Sequence, residues 1–157
     1  MSHAIRWTVE KITQRLALIE PLVYRRKAAL PNFHLAPSGL AATSPKLGWG
    51  SPNLGEDGWG LILPNTHWGE PGQHFTLHTT FQIPTDWEAD KPIALYLPLG
   101  DAGSFSHPEA LISIDGESYA ACDRHHQEVR LDRRYADGQA HELLLQGWTG
   151  TEEWSGD

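Results

Sequence analysis

The chain has 157 residues, 39% of them hydrophobic, with 15 Gly, 11 Pro and a net charge of −8. That length suits one domain with a buried core, and so many turn residues favour short strands over long helices. The acidic balance argues against a nucleic-acid partner, whose phosphates demand a basic surface, and no apolar run approaches the roughly 20 residues of a membrane span.

Val9, Ile12, Leu16, Ile19 and Val23 recur at spacings of three and four, marking one face of an amphipathic helix. Thr8 is the expected N-cap, and Pro21 is expected to end or kink the helix near Ile19 or Glu20. One such helix cannot bury its own stripe and has to dock on something. Residues 24–47 follow, with basic residues, then Pro31, Pro37 and Pro45, and read as an extended arm with little regular structure. Charge is split along the chain: residues 1–50 hold seven Lys and Arg against two acids, and the remainder five against eighteen. A basic arm beside an acidic body suggests that the arm lies on an acidic surface, its own or a neighbour's, although a solvated helix explains the charges equally well.

From Gly48 the composition changes, with Trp49 and Trp59 each framed by glycines. Residues 74–83 then alternate, placing Phe75, Leu77, Thr79, Phe81 and Ile83 on one face and His74, His78, Thr80 and Gln82 on the other. Ile93, Leu95, Leu97 and Leu99 alternate in the same way. Asp115-Gly116 separates residues 111–114 from 118–121, and Asp-Gly between apolar alternations predicts a type I′ hairpin, whose central residues both need positive φ. Residues 128–131 and, after a turn at Asp137-Gly138, residues 141–146 complete the strand signals. The reading is mainly β: an antiparallel β-sandwich of jelly-roll type over residues 48–157, preceded by one N-terminal amphipathic α-helix and an extended arm over residues 1–47.

The least ordinary segment is Asp123-Arg124-His125-His126, an acid, a guanidinium and two imidazoles side by side where a sheet needs only a loop. Three readings stand open for it: a salt-bridged corner that fixes the loop, an interface, or a ligand-binding edge. Nine histidines raise the question of a metal. His74 and His78 share a strand face but sit too far apart along it to chelate alone, and no HExxH pattern or Cys pair supports them. No metal ligand is assigned, and hydrogen-bonded loop histidines are expected instead. The single Cys122 fits a reducing, cytoplasmic setting without a disulfide framework.

Seven tryptophans invite a carbohydrate-binding reading, because indole rings pack against sugar C–H faces. Trp68, Trp87 and Trp148 sit at strand borders and are expected in the core, whereas Trp49, Trp59 and Trp154 lie among glycines and acids and are candidates for a ligand or partner surface. Asp57, Asp86, Asp101, Asp115, Glu117 and Asp123 mostly occupy turn positions, where Asp bonds locally, so no catalytic residue is assigned.

The order of these motifs resembles the N-terminal region of family 38 glycoside hydrolases, the α-mannosidases of the bacterial and vacuolar type. The resemblance rests on a helix running into Pro21-Leu-Val-Tyr-Arg-Arg26, on Trp68-Gly69 before a strand ending Phe81-x-Ile83-Pro84, and on Ile114-Asp-Gly-Glu117. It continues through Asp123-x-x-His126, Glu128-Val-x-Leu131 and Gly138-x-x-His141-x-Leu143, so that it spans roughly residues 5–150. It implies a non-catalytic accessory domain, with the zinc-dependent catalytic domain following in the parent enzyme. The His-x-His-x-Asp type of zinc motif that announces that domain does not occur here. The expected chain is therefore an N-terminal piece of an α-mannoside hydrolase, without a cofactor of its own, the zinc belonging to the parent's catalytic domain. Its expected partners are that catalytic domain or other subunits, with no nucleic acid and no membrane. The alternative is a carbohydrate-binding module using Trp49, Trp59 and the Asp123–His126 tract.

Overall fold

Alternation of buried and more exposed side chains along the central strands organises the β part of the molecule. A computed structural model describes residues 8–36, 59–64, 68–69, 71–88, 90–100 and 107–150. They form one α-helix, α1 (Thr8–Val23), a short 3-10 turn (Arg133–Tyr135) and eight strands: β1 (Phe33–Leu35), β2 (Gly60–Ile62), β3 (His74–Phe81), β4 (Ala94–Tyr96), β5 (Glu109–Ile114), β6 (Glu117–Cys122), β7 (Glu128–Arg130) and β8 (His141–Trp148). Six strands make one antiparallel sheet in the order β2-β1-β3-β8-β5-β6, and β4 pairs antiparallel with β7 in a second, two-stranded sheet.

One face of the large sheet supplies most of the core. Phe75, Leu77 and Phe81 of β3, Leu143 and Leu145 of β8, and Ala110, Ile112 and Ile114 of β5 all point inward. Leu95, Leu97 and Leu99 from the β4 segment and Val129 and Leu131 from the β7 segment join the same cluster. Ile112, Ile114, Leu143 and Leu145 are fully buried, each worth roughly 1.5–3 kcal/mol over an exposed position. The face expected to be buried on residues 74–83 is the one that is buried, and the 93–99 alternation is placed as read.

The Asp115-Gly116 turn has φ of 51° and 79°, the two positive values that the hairpin reading requires. Beyond it the β5–β6 register shifts between Ile112 and Ser113, and Tyr119 becomes the extra residue of a β-bulge. The Tyr119 hydroxyl donates to the Arg130 carbonyl at 2.9 Å and accepts from the Asp132 amide at 2.7 Å. The bulge thereby stitches the edge of the large sheet to the strand that ends the small one.

Three sequence expectations change. The helix does not stop before Pro21 but continues to Val23, with the proline inside its last turn. Only two residues follow it there, so the lost N–H costs a single bond near an end that frays in any case. The arm is not merely extended: Phe33–Leu35 forms β1, which lies between β2 and β3 in the sheet. The buried Thr79 hydroxyl donates to the carbonyls of Pro31 and Asn32, 3.2 Å from each, and so ties the arm to β3. Trp68 and Trp87 pack half-buried against the core as expected, but Trp148 lies on the opposite face of the sheet. Part of the basic arm does rest on acids of its own body, where Arg26 pairs with the Asp86 carboxylate and the Tyr24 hydroxyl bonds Glu128 at 2.7 Å.

Candidate functional site

The Asp123–His126 tract forms the turn that carries the chain from β6 to β7. One Asp123 carboxylate oxygen accepts the amide hydrogens of His125 at 2.6 Å and His126 at 2.8 Å. The His126 Nδ1 lies 3.0 and 3.1 Å from the two carboxylate oxygens. The His126 ring bond, reinforced by both amides, holds the Asp123 carboxyl down at about 2. This is a self-satisfying corner of the kind Asp favours in turns. His125 points away and meets His107 edge-on at 5.6 Å, and Arg124 is half-buried and engaged in contacts of its own. The four residues are together in space, but their mutual bonding goes into the loop.

The outer face of the large sheet offers a wider surface. There β3, β8, β5 and β6 present two parallel rows of side chains. Pairing places His74 opposite Trp148 and Trp148 opposite Glu109, with Asp123 one step past the Ala110–Cys122 pair. The next row runs Thr76, Gln146, Leu111, Ala121. Between them lies a shallow, open groove of about 590 Å³. Leu111 is 68% exposed, an unusual position for leucine in a strand whose neighbours Ala110 and Ile112 are buried.

Gly147 makes the groove floor possible. Its strand position points inward, and a Cβ there would stand 2.0 Å from the Glu109 carbonyl and 2.6 Å from the Phe75 ring. Glycine thus lets β8 and β5 stay paired through their ends, and the alternation then sends Trp148 outward. The buried Cys122 thiol under the groove is pushed up to about 11, first by burial and then by the Asp123 charge, so it is not a nucleophile at neutral pH.

Of the tryptophans proposed for a ligand surface, Trp49 and Trp154 lie outside the described residues. Trp59 is half-buried beside β2 and meets the His78 ring edge-on at 6.0 Å, further along the sheet from the groove. Among the described residues, Asp123 is thus the one predicted site residue that also lines the groove. His74, Thr76, Glu109, Gln146 and Trp148 were not assigned from sequence. The signal was present in the period of two, which continues through Gly147 once β8 is extended to Trp148. Among the described residues no group of three or more His, Cys, Asp or Glu converges as a metal site. No helix among them is long and apolar enough to cross a membrane.

A different cluster sits at the far end of the sheet. His141 bonds Asp115 through Nδ1 at 2.7 Å and Asp137 through Nε2 at 3.0 Å, and packs against Phe81 and Tyr135. It joins the turn after β5 to the turn before β8, and its side chain is only 10% exposed.

Comparison with protein-family models, curated proteins and solved structures gave no match.

Proposed function

We propose that this chain is a non-catalytic accessory domain of an α-mannosidase-like glycoside hydrolase, its two sheets forming a β-sandwich of jelly-roll type. In this reading α1 is the docking element, and it seats on the catalytic domain of the parent enzyme. The observation that carries the proposal is the uncovered stripe of α1: Val9, Ile12, Leu16, Ile19 and Val23 are 52–72% exposed, and no residue of the helix is buried. Isolated helices of about 15 residues are marginal in water, so an ordered α1 gains its stability from a surface that covers this stripe. The motif order quoted above, which resembles family 38, supplies the identity of the partner.

The test uses the parent enzyme, with the coding sequence read past Asp157. A zinc-dependent catalytic domain is expected in the same frame, and co-purification of residues 1–157 with that domain, supplied as a separate polypeptide, is expected to fail for Leu16→Glu/Ile19→Glu. Retained co-purification, or an enzyme that assembles and hydrolyses α-mannosides normally without residues 1–157, removes the accessory role.

A further inference from the structure

We propose that the groove across β3, β8, β5 and β6 binds an uncharged saccharide chain, a role separate from the docking of α1. Three observations lead there. First, the lining mixes apolar and hydrogen-bonding groups in alternation: Trp148, Leu111 and Ala121 stand among His74, Thr76, Gln146 and Glu109. A sugar ring presents the same mixture, an apolar C–H face with hydroxyls around its edge, and each hydroxyl both donates and accepts. Second, the polar groups are available. The side chains of His74, Thr76 and Gln146 make no hydrogen bond among the described residues, so a ligand meets an imidazole, a hydroxyl and an amide that have no partner there to give up. Gln146 alone supplies two donors and an acceptor, suiting it to a pair of neighbouring hydroxyls.

Third, the charge selects the ligand. Glu109 and Asp123 border the groove in a chain of net charge −8, and Asp123 is held ionised by its own turn. Phosphate, sulfate or uronate groups are repelled, whereas neutral hydroxyls are welcome donors to a carboxylate. The rows run across four strands, three steps of about 4.8 Å or about 14 Å in all, which accommodates more than one sugar ring. The flat, open shape suits a chain lying along the surface better than a small molecule, which needs an enclosing pocket.

The experiment is a titration of the 157-residue chain, followed by amide chemical shifts, with mannotriose, maltotriose and cellotriose in turn, and with trigalacturonate as the anionic counterpart. The expected result is that at least one neutral trisaccharide shifts the amides of Thr76, Leu111, Gln146 and Trp148, with trigalacturonate binding at least tenfold more weakly. The exposed pair His74→Ala/Gln146→Ala is expected to weaken that binding at least tenfold while the melting temperature stays unchanged. Trp148→Ala, read alongside it, reports the stacking platform. The α1 variant Leu16→Glu/Ile19→Glu is expected to bind the sugar normally, which separates failure of this site from failure of docking. The inference is overturned if no neutral trisaccharide moves those amides at about 10 mM, above the millimolar range of weak specific binding. It is equally overturned if trigalacturonate binds as well, or if the groove amides respond to the catalytic polypeptide and to none of the sugars.

Discussion

His141 shows how much one side chain decides in this molecule. Its imidazole spans two carboxylates, those of Asp115 and Asp137. Burial pulls its pKa down, but the bonds to Asp115 and Asp137 outweigh burial and the net shift is upward. The carboxyls move the other way, Asp115 chiefly through His141 and Asp137 through the Gln139 amide and then His141. The signs fix a window. The histidine contribution is complete below its ordinary 6.5 and fades as pH rises through its raised value; the aspartate contribution is complete above 3.8 and fades as pH falls through the lowered values. Stability in urea is therefore expected to peak between about pH 4 and pH 6.5. His141→Asn is expected to lose about 1 kcal/mol at pH 5.5, because two bonds to solvent-exposed carboxylates are lost, and to flatten the decline on the alkaline side. An unchanged alkaline slope in that variant sinks the assignment. The spacing of Gly138 to His141 marked a family-like motif, but nothing in the sequence says that the ring bridges two turns, because Asp115 is 26 residues away.

Among the elements, β5 carries the sharpest contrast. Adjacent residues Leu111 and Ile112 have opposite environments, one 68% exposed over the groove and the other fully buried. Ile112→Ala is expected to cost about 2–5 kcal/mol in chemical denaturation, and Leu111→Ala to stay within about 0.5 kcal/mol. Near-equal losses contradict the assigned faces. The long strands were legible because period-two alternation over four or more residues has one interpretation when one face is buried. What escaped were the short or irregular elements. β1 has three residues between prolines, and its place in the sheet comes from long-range pairing with β2 and β3, which no local pattern encodes. β2 emerges from a glycine frame that reads as loop. Trp148 was assigned to the core because the strand was ended two residues early, at Gln146, before Gly147 could pass the alternation on.

At the scale of the whole molecule, the N-terminal third divides at residue 24. α1 adds nothing to the core, whereas the arm behind it supplies β1, the Thr79 hydrogen bonds and the Arg26–Asp86 pair. A chain beginning at residue 24 is expected to melt within a degree or two of the full chain, since no described residue before it is buried. A chain beginning at residue 37 is expected to melt many degrees lower, because the edge of β3 and the Thr79 hydroxyl lose their partners. Equal melting of all three chains contradicts the placement of β1. The Tyr119 stitch bears on how such melting proceeds. A two-stranded pair such as β4 and β7 has marginal stability of its own, and here its two members come from distant parts of the chain. With one phenol spanning the gap between sheets, opening of the small sheet is coupled to the edge of the large one. Amide protons at Leu95 and Val129 should exchange with deuterium as slowly as those at Ile112 and Leu143, making the whole β structure a single foldon.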